Sequence, residues 1–140
     1  MDRAVLAIGI DPAQVARHAP ETAASAPTVD AESIRAGAAA SGARLRELGF
    51  DVDVCFTDYG TTAETVVRER LAGRSYDFVM IGVGLRTDHA LTHLFEVLVN
   101  ATRELQPGAV LVFNTDPAST AAAVERWFPR PTPVQVPSLP

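Results

Sequence analysis

The segment Gly82-Val83-Gly84-Leu85-Arg86-Thr87-Asp88 follows the apolar run "FVMI" and precedes a stretch of helical character. Its residue types suit the holding of an anion. Two glycines let backbone approach a ligand, the start of the next helix offers unpaired N–H groups and the positive end of its dipole, and Arg86 adds a full charge. An ordinary helix start competes with that reading. Thr87 or Asp88 must cap the helix, a capping side chain takes the same N–H groups, and the Asp88 carboxylate repels an anion. As a dinucleotide fingerprint the segment is a poor match. Thr87 stands where the third glycine belongs, and the segment follows the third apolar run, whereas the first has only Gly9.

Further along, His89, His93 and Glu96 have the spacing that puts them on one helix face, as in a zinc-binding pair with a neighbour. That face lies opposite Leu91, Leu94, Phe95, Leu98, Thr102 and Leu105, so it points to solvent or to another chain, and no metal site is assigned. Asp11, at the end of the first apolar run, and His89 are the acid–base candidates should the protein catalyse a reaction. Asp11-Pro12 reads equally well as a turn starter. His18 and Ser25 would complete a Ser-His-Asp set with Asp11 by type alone, but no G-x-S-x-G elbow exists and coincidence explains them better. Cys55 lies within a strand and reads as a small buried hydrophobe. Asp58 either meets a ribose hydroxyl or starts the turn that leads to a helix cap at Thr61.

The elements that must position these residues are legible as an alternation. Four apolar runs, "AVLAIGI", "VDVCF", "FVMIGV" and "AVLVF", are separated by helix-like segments, the pattern of repeated βα units around a parallel sheet. Three runs are almost continuously apolar, as strands covered on both faces must be. The second alternates Asp51 and Asp53 with Val52 and Val54 and belongs at an edge. The helices are expected from Ala31 to Leu48, capped by Asp30 and closed by Gly49; from a Thr61/Glu64 capping box to Gly73; after Asp88; and from Asp116-Pro117 onward. On the first of these, Ile34, Ala38, Ser41, Leu45 and Leu48 form the inner stripe, with Gly37 and Gly42 allowing close packing.

An edge position for strand two, with right-handed crossovers, gives the order 2-1-3-4, a flavodoxin-like or Rossmann-like three-layer αβα sandwich with a fifth strand available only from the tail. Ligands in such sheets sit beyond the carboxyl ends of the strands where the winding reverses, here between strands one and three. Asn114 and Thr115, at the end of strand four, stand beside that crevice. The segment 11–30 reads as a long loop after strand one, either a lid or an insertion.

The chain has 140 residues and 47% hydrophobic content, with mean hydropathy +0.10, enough for one core. One α/β domain over 1–128 is expected, followed by a Pro-rich tail over 129–140, in which "VQV" could at most add an edge strand. A net charge of −5 with scattered arginines gives no footprint for nucleic acid. All twelve basic residues are Arg. The lack of Lys removes Schiff-base chemistry, a P-loop and a phospho-receiver site. One cysteine, no apolar stretch of membrane-spanning length and too short an N-terminal apolar run for a signal peptide point to a soluble cytoplasmic protein.

The motifs "IGVGLR", "LFEVLVNA" and "FNTDP", together with "LGFDVDVCF", resemble those of a group of short uncharacterised α/β proteins whose strands end in I-G-x-G-x-R and F-N-T-x-P. The resemblance covers most of the chain outside the 11–30 segment and the tail. It implies a small Rossmann-like domain, carries over no activity or cofactor, and draws attention to Arg86, Glu96, Asn100, Asn114 and Thr115. The expectation is therefore a small-molecule binding domain, enzymatic or not, whose ligand, anionic if Arg86 meets it, contacts Gly82, Gly84, Arg86, Thr87, Asp88, Asn114 and Thr115, its cofactor undetermined. The alternative is a non-enzymatic module that homodimerises or binds a protein through the outer face of the helix after strand three and the tail.

Overall fold

The computed structural model describes residues 3–18 and 31–128. The expected Asp30 cap, Ser25 and the tail lie outside them. Strands β1 (Arg3–Ile10), β2 (Phe50–Thr57), β3 (Phe78–Ile81) and β4 (Val110–Phe113) form one parallel sheet in the order 2-1-3-4, a Rossmann-like or flavodoxin-like arrangement. All three pairings are parallel, with Ile8 opposite both Cys55 and Ile81, and Ile81 opposite Phe113.

Two cores form because strand side chains alternate between the faces of the sheet. On one face Leu6, Ile8, Val79 and Ile81 pack with Val67 and Leu71 of α3 (Ala63–Gly73) and with Leu98 and Ala101 of α5 (Thr92–Leu105). On the other, Val5, Phe50, Phe78, Met80 and Val112 pack with Leu45 of α2 (Ala31–Glu47) and with Ala121, Ala123 and Val124 of α6 (Thr120–Glu125). The winding reverses between β1 and β3, as expected. Gly49, at φ +91°, closes α2 in the left-handed conformation that favours glycine.

Local structure departs from the sequence reading at four places. The 11–30 segment is not loop throughout: α1 (Pro12–His18) begins it, with Asp11 Oδ1 accepting from Ala13 N at 2.9 Å. Proline at the first helical position suits that start. The cap of α3 is Thr62 rather than Thr61, and no side chain of its own satisfies it. Asp58 does so instead, accepting from Gly60 N, Thr62 N and the Thr62 hydroxyl. After β3 the chain makes three helical pieces, not one. The short α4 (Val83–Thr87) ends at Asp88, which caps a 3-10 turn (His89–Leu91) by accepting from Ala90 N, and α5 follows. Finally, Asp116-Pro117 opens a turn, and α6 starts only at Thr120.

The break after β3 has a packing cause. Leu85 is fully buried and Leu91 is 6% exposed, so α4 and the 3-10 turn each drive one leucine into the α3/α5 core. Each such burial contributes roughly 1.5–3 kcal/mol. A single straight helix from Gly82 could not aim both inward and still present the α5 stripe.

Candidate functional site

The sheet tapers toward its carboxyl end on the α2 face only. Reading from β2 to β4, the first row of side chains on that face is Val52, Val5, Phe78 and Val110; the next is Val54, Ala7, Met80 and Val112. One step further come Phe56, Gly9, Gly82 and Asn114, the middle two without side chains. Gly9 is paired with Phe56, and a Cβ placed on Gly82 would lie 3.6 Å from the Gly9 Cα. On the opposite face β1 shows the reverse trend, Ala4 followed by Leu6, Ile8 and Ile10.

Helix α2 does not fill the space above the two glycines. It is held sideways against the turn before α6: a Cβ at Gly37 would be 2.5 Å from the Pro117 carbonyl carbon, and Ser41 Oγ donates to Ala118 O at 3.0 Å while accepting from Ala121 N at 3.3 Å. Over β1 the helix presents Ala38, Ser41 and Gly42. A cleft of about 620 Å³ results, roofed by α2, floored by Ala7, Gly9 and Gly82, and bordered on the β2 side by Phe56 and Tyr59. Its size falls in the range of pockets that take drug-sized molecules, ~300–1,000 Å³. Val54 and Phe56 stay 36% and 40% exposed along it.

Gly82, Gly84, Thr87, Asp88, Asn114 and Thr115 all border this cleft, and Arg86 does not. Its guanidinium donates to Asn114 O at 3.0 Å and lies 5.9 Å from the Phe113 ring centre. Contact with β1 alone already requires Gly82: its N–H donates to Ile8 O at 2.8 Å and a Cβ there would crowd the same oxygen at 3.2 Å. Asn114, only 4% exposed, accepts from Val83 N at 2.7 Å and donates to Thr120 Oγ1 at 3.2 Å. It ties the end of β4 to both α4 and α6, and it takes the helix-start N–H that an anion would need. Thr115 N is likewise occupied by Ser119 Oγ, and the Thr87 hydroxyl donates back to Val83 O.

The carboxylates near the site follow one pattern. Asp11, Asp58, Asp88 and Asp116, one after each strand, accept a hydrogen bond from the backbone N–H two residues on, at 2.8 to 2.9 Å. At Asp58 burial opposes ionisation, but the hydrogen bonds from Gly60, Thr62 and Ala63 outweigh it and hold its carboxyl below the usual range. Tyr59 is shifted the other way, upward, by burial and then by the charge of Asp88. Only Asp88 and Asp116 of the four border the cleft, and they are its only charged side chains among the described residues.

The remaining candidates sit elsewhere. His89 is exposed in the 3-10 turn and does not border the cleft; His93, Glu96 and Asn100 are exposed along α5, on the outward face the sequence assigned them. No three metal-ligating side chains converge among the described residues. Cys55 is buried, and burial pushes its thiol up despite Arg70 nearby. No helix among the described residues is long and apolar enough to cross a membrane. What residue-type motifs missed is the apolar part of the site: Ala7, Ala38, Gly42 and Phe56. The available signal was the shrinking side chains at alternate positions Val5, Ala7 and Gly9, facing small residues on the inner stripe of α2. Neither a family model, nor a curated protein, nor a solved structure matches this chain.

Proposed function

We propose that the protein is a small-molecule binding domain whose ligand enters at the carboxyl ends of β1 and β3 and lies between those strands and α2. The observation that carries this reading is the cleft itself, an opening of about 620 Å³ at the reversal point of the sheet, built from residues too small to fill it. Interiors normally pack to the density of organic crystals. A row with two adjacent glycines where its neighbours carry valine, phenylalanine or methionine gives up that packing at the one place where sheets of this winding hold ligands. A protein-interaction role would draw on the outward face of α5, whose exposed His93, Glu96 and Asn100 are what an ordinary solvated helix face carries. The cleft is the stronger case.

A thermal-shift screen with nucleotides, sugar phosphates, acyl thioesters, divalent metals and neutral aromatic compounds tests it. A true ligand at one hundred times its dissociation constant stabilises the fold by about 2.7 kcal/mol, a shift of several degrees. Gly9→Val supplies the control. Gly9 does not have a positive φ and a Cβ there meets nothing within 4 Å, so the valine projects into the cleft without strain. The variant should melt at or above the wild-type temperature, because valine favours strands over glycine, and should lose the ligand shift. Absence of any hit, or a hit that Gly9→Val leaves intact, would count against the cleft as the site.

A further inference from the structure

The chemistry of the cleft wall narrows what it can hold, given the reading above that it holds a ligand at all. Its floor is bare backbone at Gly9 and Gly82, flat and without side chains, with the Phe56 ring alongside in the same row and Ala7 and Met80 in the row beneath. Its roof is Ile34, Ala38, Ser41 and Gly42 of α2. Among the described residues, most of what would touch the body of a bound molecule is therefore apolar or a peptide plane, and a bare backbone floor beside an aromatic ring suits a flat ring system.

The polar groups of the wall are already engaged with one another. Ser41 bridges to Ala118 and Ala121, and Asn114 bridges to Val83 and Thr120. Among the described residues no buried side-chain nitrogen or oxygen lacks a partner. A charged group on the ligand would thus find no unsatisfied buried side chain among the described residues, and burying an unpaired charge is costly.

Among the described residues, the charges that border the cleft at its rim are of one sign. Arg86 and Arg126, which reach the end of β4, donate to the carbonyls of Asn114 at 3.0 Å and Phe113 at 2.7 Å, and neither borders the cleft. Among the described residues, the charges that border it are Asp88 and Asp116, each fixed by a backbone N–H. Asp116 is exposed and Asp88 half-buried, so their repulsion of a like charge acts at the mouth of the cleft and falls as salt rises.

We infer that the cleft takes a flat, predominantly apolar ring compound that carries no negative charge, seated on the Gly9–Gly82 floor beside Phe56. An anionic ligand of the same shape is rejected at the rim.

A matched pair of fluorescent probes reads this directly. N-phenylnaphthylamine is neutral, and anilinonaphthalene sulfonate has the same ring skeleton with a sulfonate added. Titrated into the full chain, the neutral probe should bind saturably, the sulfonate at least about tenfold more weakly, a difference expected from placing a charge where nothing pairs with it. Gly9→Val and, independently, Ala7→Leu should abolish neutral-probe binding, with circular dichroism melts showing that each variant folds. Equal or tighter binding of the sulfonate, abolished by the same variants, overturns the charge selectivity while leaving the cleft as the binding site. Failure of both probes to bind, or binding indifferent to both variants, overturns this inference and the proposed site together.

Discussion

Asp53, on the outer edge strand, accepts the Tyr76 phenol at 2.7 Å and the Arg74 guanidinium at 3.2 Å, while Asp51 takes the second arm of Arg74 at 2.8 Å. Here the alternation of acids and valines in "DVDVCF", read as the mark of an edge, does more than face water. Burial, then donation to Asp53, pushes the Tyr76 phenol up to about 12 from an ordinary value of 10.0. The folded state therefore holds this proton more tightly than the unfolded chain. The stabilisation is fully present below pH 10 and is lost as pH rises from about 10 toward 12, because the unfolded chain gives up its proton first. Denaturant melts across that window should show stability falling in the wild type, with a shallower fall in Tyr76→Phe. Identical slopes would mean that burial and Asp53 together do not hold the phenol's proton in the folded state. At the same scale, the four aspartates that follow the strands were recognisable by type; for Asp11, Asp58 and Asp88 a turn or helix start was one of two roles the sequence allowed, and for Asp116 it was the role read. Choosing between roles takes the position of a backbone N–H, which residue identity does not encode.

At the scale of elements, the tight side and the open side of α2 are set by two glycines with opposite surroundings. Alanine at Gly37 would place its Cβ 2.5 Å from the backbone of Pro117, which cannot give way without moving the turn that Ser41 also grips. The gain in helix propensity, about 1 kcal/mol, is outweighed by overpacking that costs roughly 1–3 kcal/mol or more. Alanine at Gly42 would meet only the Arg46 guanidinium at 3.2 Å, the movable end of an exposed side chain. Gly37→Ala should therefore lower the melting temperature and Gly42→Ala should raise it slightly. Equal effects of the two in calorimetry would show that α2 does not lean on the 117–118 turn. Both glycines read as packing residues in the sequence, and Gly37 is one. The strands, their order and the closure of α2 at Gly49 were legible because continuous apolar runs, one alternating edge strand and a left-handed glycine leave local signatures. The five-residue α4 was not. Its five residues make less than one and a half turns, too few for an apolar periodicity to show, and the need to bury Leu85 and Leu91 together explains it. The late start of α6 was hidden for a similar reason: Ser119 Oγ accepts from both Thr115 N and Asp116 N, so the turn is complete before the helix begins.

Across the whole molecule, the two faces of one sheet do different work. The α3/α5 face is filled to its carboxyl end by Leu6, Ile8, Ile10 and Ile81, while the α2/α6 face runs out of side chains at Gly9 and Gly82. The first face supplies rigidity, and the second opens where the winding reverses. Arg86, the residue whose charge drew the eye in the sequence, stiffens the end of β4 instead. The place of the crevice followed from strand order alone, but its apolar character depends on which of two alternating registers of β1 faces α2. The amide spectrum of isotope-labelled protein titrated with N-phenylnaphthylamine tests the central claim most directly. The account predicts that the largest shifts fall on Ala7, Gly9, Gly42, Gly82 and Thr115, with the α5 face around His93 and Asn100 unmoved. Shifts confined to that outer face, or scattered without focus on Gly9 and Gly82, would contradict it.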